Sequence, residues 1–153
     1  MKKSLFVLVA ILLCWTGDVK AQESMENKTP IQEVQAYLSE CGVFYVATVD
    51  GDQPRVRPFG VATIYNGRLY IMTGKKKDVY KQMIKNGKFE ISAVKKSGAE
   101  WIRVSGVLVN DDDIKAKQYL LDKNPSLKGM YKADDGTRMN NQRLLYRPGL
   151  LKL

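Results

Sequence analysis

Tight-turn signals between short runs of strand-forming residues constrain this fold more than any other feature of the sequence. Asp50-Gly51 and Asn66-Gly67 favour two-residue hairpins, because glycine accepts the positive φ that such turns require. A third turn, at residues 95–98, also contains glycine. The predicted strands between these turns are residues 43–49, 54–65, 68–73, 88–94 and 100–109. Strands in consecutive hairpins predict an antiparallel barrel rather than a sheet built from βαβ units.

Short helices are predicted in the connections, near residues 31–42, 78–86 and 111–124. In the second helix Val79, Met83 and Ile84 are expected on the inner face, and in the third Ile114 and Leu121 share a face. The three aspartates at residues 111–113 fit a helix start, where the helix dipole favours negative charge. They lack the spacing of a calcium loop, so no metal site is predicted. A short strand is expected at residues 142–146.

The first 21 residues have the three parts of a secretory signal. Lys2 and Lys3 form the basic start, residues 4–15 form the apolar run, and small residues precede a cleavage site after Ala21. The apolar run is short for a membrane span. We therefore expect an exported protein, periplasmic or extracellular, that is not held in a membrane after cleavage.

Cleavage would leave residues 22–30 as a flexible lead-in and residues 31–153 as one domain. Two alternatives stay open. The leader could be an uncleaved anchor, or translation could start at Met25, which would give a cytoplasmic protein.

Charge and composition narrow the function. The net charge is +9, and residues 1–21 carry three lysines and one aspartate, so the mature charge is 9 − 2 = +7. A basic surplus favours anionic ligands. We predict no nucleic-acid partner, because no basic face with interleaved aromatic residues is found.

Histidine is absent, which excludes Ser-His-Asp and Cys-His catalysis and a haem held by imidazole. Cys41, the one cysteine of the mature chain, fits a buried apolar position. The reaction chemistry is therefore expected from a bound cofactor.

Two stretches could bind a phosphate. Strand alternation places Arg55, Arg57 and Phe59 on one face, where two arginines can pair with a phosphate and the aromatic ring can meet a flat ligand. The alternative is an ordinary solvent-facing strand. Residues 73–77, Thr-Gly-Lys-Lys-Lys, form a basic loop before a helix and could bind an anion. Such a loop is otherwise simply solvated.

The segments Tyr45–Gly51, Gln53–Phe59, Leu69–Lys75 and Glu100–Val104 together resemble the pyridoxamine 5′-phosphate oxidase-like family of FMN-binding split barrels. The resemblance covers about residues 31–136. It implies a mainly β (α+β) fold, a six-stranded antiparallel split β-barrel with short peripheral helices. It also implies a homodimer with FMN at the subunit interface.

The resemblance also implies roles for individual residues. Arg57 falls on the phosphate-binding arginine, Thr73 on a hydroxyl near the flavin, and residues 75–77 on the basic phosphate loop. The predicted cofactor-binding set is Arg55, Arg57, Pro58, Phe59, Thr73, Lys75, Lys77 and Trp101. Within it Arg57 and Lys77 are assigned to the phosphate, Arg55 and Lys75 to its support, and Phe59 and Trp101 to the ring or the pocket wall. Core packing is an equal alternative for Trp101.

Three departures from the family pattern limit these roles. Asp78 stands near the helix start, where the family has its phosphate-loop lysine, so the choice among Lys75, Lys76 and Lys77 stays open. The C-terminal arginine segment that holds the substrate of true pyridoxamine phosphate oxidases is not recognisable. Residues 139–143 are unlike the family's last strand, so this region is expected to be truncated or altered.

Two functions follow as hypotheses. The first is an FMN-dependent oxidoreductase acting on an unknown small molecule, with no identifiable general acid or base. The alternative is a non-enzymatic protein that binds a flavin or another phosphorylated ligand, or carries electrons. Haem or a deazaflavin in place of FMN also stays open.

Overall fold

A computed structural model describes residues 28–134 and, for the backbone alone, residues 140–146. The chain divides into two units, residues 1–30 and residues 31–153. The predicted signal peptide and most of the predicted lead-in lie outside the described residues. No helix within the described part of the chain is long and apolar enough to cross a membrane.

Among the described residues, seven strands form one antiparallel sheet within the second unit. The strands are β1 (Phe44–Asp50), β2 (Gln53–Phe59), β3 (Thr63–Tyr65), β4 (Arg68–Thr73), β5 (Lys88–Val94), β6 (Trp101–Asp111) and β7 (Asn140–Tyr146). The helices are α1 (Pro30–Cys41), α2 (Asp78–Lys85) and α3 (Ile114–Lys123), followed by a 3₁₀ turn, Pro125–Leu127. The strand order is β2-β1-β5-β6-β7-β4-β3, with β2 and β3 at the edges, so the sheet is not closed. The mainly β, antiparallel fold predicted from the sequence is confirmed.

The structure has one strand more than the resemblance implies, because the long strand expected at residues 54–65 is interrupted. β2 pairs with β1 as far as Phe59, opposite Phe44. The chain then leaves that edge, and from Thr63 it pairs with β4 at the opposite end of the sheet. Residues 60–62 therefore connect the two edges of one open sheet.

The turn predictions rest on local chemistry and are confirmed. Asn66 has φ 47° and Gly67 has φ 69°, the left-handed conformations that a two-residue hairpin turn requires. Gly51 has φ 66° in the turn between β1 and β2. The predicted strand at residues 142–146 is also confirmed, as β7, which pairs with β6 on one side and β4 on the other.

Two apolar clusters hold these elements together. The larger one packs α1 and α2 on one face of the sheet, and its most deeply buried side chains include Leu38, Phe44, Ile71, Ile91 and Ile102. The smaller one packs α3 on β4 through Tyr70, Met72, Leu120 and Leu121. Successive residues of β4 contribute to different clusters, because strand side chains alternate between faces. β4 is consequently buried on both faces.

One of the two helix-face predictions needs correction. On α2, Val79 and Met83 are buried as expected, but Ile84 is 49% exposed and Gln82 is buried instead. Positions 79, 82 and 83 form one helical stripe, whereas position 84 lies a further 100° around the helix. On α3, Ile114 and Leu121 lie on the same face, as predicted, and both line one surface pocket; Leu121 is buried, whereas Ile114, the first helical residue, is exposed.

Candidate functional site

Arg57 is a half-buried cation on the inner face of the sheet, held by side chains from two other elements. Its guanidinium donates one hydrogen bond to Thr48 Oγ1 (2.7 Å) and one to Gln82 Oε1 (2.8 Å). Thr48 Oγ1 in turn donates to Gln82 Oε1 (2.9 Å). β2 positions the arginine, β1 the threonine and α2 the glutamine, and the sequence separations are 9 and 25 residues. Tertiary packing therefore builds this cluster.

No carboxylate among the described residues forms an ion pair with Arg57. Burial lowers the pKa of Arg57 below its usual value and the neighbouring charge of Arg55 adds to this, while Asp50 opposes it. Asp50 is itself paired with Arg55, with 3.5 Å between Nε and Oδ2. A partly desolvated cation that contacts only neutral oxygens is costly unless an anion completes its surroundings.

The basic loop at residues 74–77 lies between β4 and α2. One of its lysines forms an ion pair, and the other two have no ion-pair partner among the described residues. Lys75 Nζ lies 2.9 Å from Asp112 Oδ2, and Asp112 also accepts from Lys117, whose side chain is almost fully buried on α3. Lys76 and Lys77 are exposed, and no described residue pairs with either of them. Lys77 is the N-cap residue of α2, and its amide donates to Gly74 O (3.0 Å).

Asp112 connects the basic loop to α3. Burial raises the pKa of Asp112, but hydrogen bonds from Lys117 and Lys75 outweigh this effect and hold the pKa below its usual value. Asp113 caps α3 by accepting from the Lys115 amide (2.9 Å). Of the three aspartates expected at this helix start, only Asp113 therefore caps it. Asp111 is the last residue of β6 and accepts from the Tyr70 hydroxyl (2.8 Å).

The other predicted site residues are dispersed over the sheet. Phe59 packs into the core against Phe44, with 6.1 Å between ring centroids and planes 23° apart. Thr73 is buried at the end of β4. Pro58 is exposed opposite Tyr45. Trp101 is 40% exposed opposite Val94, at the start of β6.

The predicted residues occupy both faces of the sheet. Arg55, Arg57 and Phe59 share the inner face, as alternation predicts, because their β1 partners include the buried Phe44 and Thr48. The outer face of β1, β2, β5 and β6 carries the charged Glu90 and Arg103, which form an ion pair, and exposed apolar side chains: Tyr45, Val56, Pro58, Val94, Trp101 and Val107. Within one chain, Trp101 and Arg57 therefore lie on opposite faces.

Sequence reasoning missed four residues of these clusters: Thr48, Gln82, Asp112 and Lys117. One signal was available, because Gln82 lies on the buried stripe of a short helix, where a polar side chain needs a partner. Lys117 likewise lies between buried positions of α3. The described residues contain no group of three or more His, Cys, Asp and Glu side chains that could hold a metal ion.

The sequence profile of the family described as pyridoxamine 5′-phosphate oxidase matches residues 31–143, about three-quarters of the chain. The chain belongs to the pyridoxamine 5′-phosphate oxidase-like family. Among curated proteins, none matches the sequence.

Solved structures of similar proteins extend this result for the pyridoxamine 5′-phosphate oxidase-like chain. A NimC/NimA family protein from Clostridium acetobutylicum is 46% identical over 76% of this chain and 82% of that one, with a TM-score of 0.73. A putative pyridoxamine 5′-phosphate oxidase from Listeria innocua is 16% identical over 76% of this chain and 93% of that one (TM-score 0.59). An FAD-binding protein from Mesorhizobium loti is 17% identical over 75% of this chain and 88% of that one (TM-score 0.55). The last two likenesses show a shared fold.

Proposed function

We propose that this protein binds FMN, with the phosphate held by Arg57 and the basic loop, and that it is an oxidoreductase acting on a small molecule. The observation that carries the proposal is the state of Arg57: a partly buried cation fixed by two neutral oxygens, with no carboxylate partner among the described residues. A ligand phosphate would supply the missing anion. Family membership makes a flavin phosphate the leading candidate.

The lysine loop supports the same assignment and favours Lys77 over Lys75 as the second phosphate ligand. Lys75 is paired with Asp112, whereas Lys77 has no ion-pair partner among the described residues and stands at the N-cap position of α2, where its side chain makes no capping hydrogen bond. Gln82, which contacts Arg57, is five residues along the same helix, or about 7.5 Å along its axis. One helix therefore connects the Arg57 cluster with the loop. The helix N-terminus adds its partial positive charge to that of Lys76 and Lys77.

We further propose a homodimer that covers the outer face. Tyr45, Val56, Val94 and Trp101 are each at least 40% exposed there, and several exposed apolar side chains on one sheet face favour a contact surface. Because Trp101 and Arg57 lie on opposite faces, Trp101 would meet the ring of a flavin bound to Arg57 only if the two residues come from different copies. A contact between outer faces would bury Trp101 in the dimer interface while Arg57 stays on the inner face, so Trp101 is assigned to the proposed interface rather than to the phosphate site.

In this proposal FMN supplies hydride and electron transfer, because the sequence contains no histidine to act in catalysis. The chain's own residues bind and orient. Arg57 and Lys77 would hold the phosphate, and Arg55 and Lys75 would add positive potential. Thr73 would border the site and Phe59 would form its wall from the core side, whereas Pro58 lies on the opposite face of β2 from Arg57.

The test is selective loss of the phosphate contact. Arg57→Ala should lower the affinity for FMN by about ten- to a hundredfold, because a charge-assisted hydrogen bond to the phosphate is lost. The affinity for riboflavin should stay nearly unchanged. Lys77→Ala should act in the same direction, while the exposed Lys96→Ala serves as a charge-matched control. Fluorescence-quenching titrations with both flavins at two salt concentrations measure these effects. Equal losses for the two flavins would show that the phosphate does not bind at Arg57.

A non-enzymatic flavin binder or electron carrier is the second candidate, and it uses the same site. Measuring turnover by the FMN-loaded protein with a reduced nicotinamide and an electron acceptor distinguishes the two candidate functions. Turnover supports the oxidoreductase, and tight FMN without turnover supports the binder. Mass identification of the released cofactor distinguishes FMN from haem or a deazaflavin.

A further inference from the structure

We propose that Gln82 and Thr48 are positioning residues that fix the Arg57 guanidinium with neutral oxygens and so leave its charge for a ligand phosphate. The inference rests on the proposed function and deepens it. It adds two residues, one from α2 and one from β1, that need not touch the ligand themselves.

The three side chains form a closed triangle of hydrogen bonds. Gln82 Oε1 accepts from Thr48 (2.9 Å) and from Arg57 (2.8 Å), and Thr48 Oγ1 accepts from Arg57 (2.7 Å). Thr48 is 2% exposed and Gln82 is 7% exposed. Buried polar groups need their hydrogen bonds, so each member restricts the orientation of the other two.

The amide orientation of Gln82 follows from its neighbours. Its oxygen faces two donors, while its Nε2 donates to Asp50 Oδ2 at 3.4 Å. The reversed amide would place N–H groups against a guanidinium, which has no acceptor. The hydroxyl proton of Thr48 points to Gln82, so its lone pairs are available to Arg57.

Arg57 keeps donors for a ligand in this arrangement. A guanidinium has five N–H donors. Thr48 and Gln82 use one each, so 5 − 2 = 3 remain. These suffice for a bidentate contact with phosphate oxygens, the geometry for which arginine is suited. The triangle therefore reduces the rotamer freedom of Arg57 before binding without occupying all its donors.

The neutrality of the two acceptors is the second part of the inference. A glutamate at position 82 has nearly the same shape as glutamine and would bind Arg57 more strongly, but it would cancel the charge. Asp50, the carboxylate whose charge acts on Arg57, pairs with Arg55 and accepts from the amide of Gln82. The structure thus gives Arg57 two neutral oxygen acceptors and no ion-pair partner among the described residues.

The decisive variant is Gln82→Glu, measured by fluorescence titration with FMN and with riboflavin. The affinity for FMN should fall by about tenfold or more, and the affinity for riboflavin should change by less than about twofold. Gln118→Glu is the matched control, because Gln118 is an exposed α3 residue that bonds Asp122 and makes no contact with Arg57. It carries the same charge change and should leave both affinities unchanged.

A second pair of variants removes or keeps the hydroxyl. Thr48→Val should lower the FMN affinity several-fold, and Thr48→Ser should restore it. If Gln82→Glu does not fold, this pair of Thr48 variants tests the positioning role on its own. A purely structural role would lower both flavin affinities together or neither, so the ratio of FMN to riboflavin affinity is the informative readout.

The outcomes separate this inference from the proposed function. If wild type binds FMN and riboflavin equally well, or Arg57→Ala leaves the ratio unchanged, the proposed phosphate site is wrong and the inference fails with it. If Arg57→Ala removes the preference for FMN while Gln82→Glu and Thr48→Val retain it, the positioning role alone is overturned.

Discussion

Replacing Asp112 with asparagine should destabilise the protein by about 2 kcal/mol at neutral pH. Asp112 is the carboxylate that pairs with Lys117, whose side chain is 4% exposed, and with Lys75, which is 21% exposed. Two unit charges about 4 Å apart attract by about 4 kcal/mol near a protein surface and about 1 kcal/mol in bulk water. The Asp112 side chain is 49% exposed, so solvent screening places the loss between these limits.

The pH dependence of this loss has a defined sign. Lys117 and Lys75 depress the pKa of Asp112 in the folded state against the effect of burial. A depressed pKa stabilises the fold above the unfolded pKa of about 3.9, and this stabilisation is lost as the pH falls through the folded pKa. The difference in the free energy of unfolding between wild type and Asp112→Asn should therefore be largest at pH 7 and decrease below about pH 4.

Urea titrations followed by circular dichroism measure the difference in the free energy of unfolding. Asp122→Asn is the matched control, because Asp122 and its partner Lys128 are both about half exposed and should contribute nothing measurable. Adding Lys117→Met to Asp112→Asn should recover part of the loss, since it removes the unpaired buried charge. An equal effect of the two Asp→Asn variants, or a difference that persists unchanged in acid, would refute the reasoning.

Three further predictions concern packing, assembly and processing. Gly87→Ala should cost about 1–3 kcal/mol in urea titrations, because its Cβ would lie 2.6 Å from the Leu108 carbonyl oxygen, whereas Gly129→Ala, in open space, should cost nothing measurable. Val56→Lys on the outer face should convert the proposed homodimer to a monomer in light scattering, and an unchanged mass would count against that face as the interface. N-terminal sequencing of protein from the native host should begin at Gln22, and an intact leader in the cytosol would contradict export.

The parts of the fold that local chemistry determines could be predicted from the sequence. Asn66-Gly67 forms a left-handed turn because few other dipeptides adopt that conformation readily, and the flanking strands follow from it. Alternation correctly placed Arg55, Arg57 and Phe59 on one face of β2. Periodicity did not specify the packed stripe of α2, which includes Gln82 rather than Ile84, because a helix of two turns matches more than one stripe.

The candidate site was predictable only in part, because its contacts join distant segments. The cations Arg57 and Lys75 could be recognised from their motifs. Their partners could not, since Gln82 is 25 residues from Arg57 and Asp112 is 37 residues from Lys75. The same contacts distinguish Lys75, which pairs with Asp112, from Lys77, which has no ion-pair partner among the described residues.

The position of β7 has a consequence for how the protein is made. β7 lies between β6 and β4, and without it the β3–β4 hairpin has no backbone pairing with the rest of the sheet. Tyr70 pairs with Arg143, more than seventy residues later, so this half of the sheet is closed by contacts of long sequence separation, which form slowly. During synthesis β4 and β6 therefore emerge before the strand that joins them. Until β7 arrives, each has an unpaired edge that could pair with another nascent chain, and a chaperone would have to protect both edges at once.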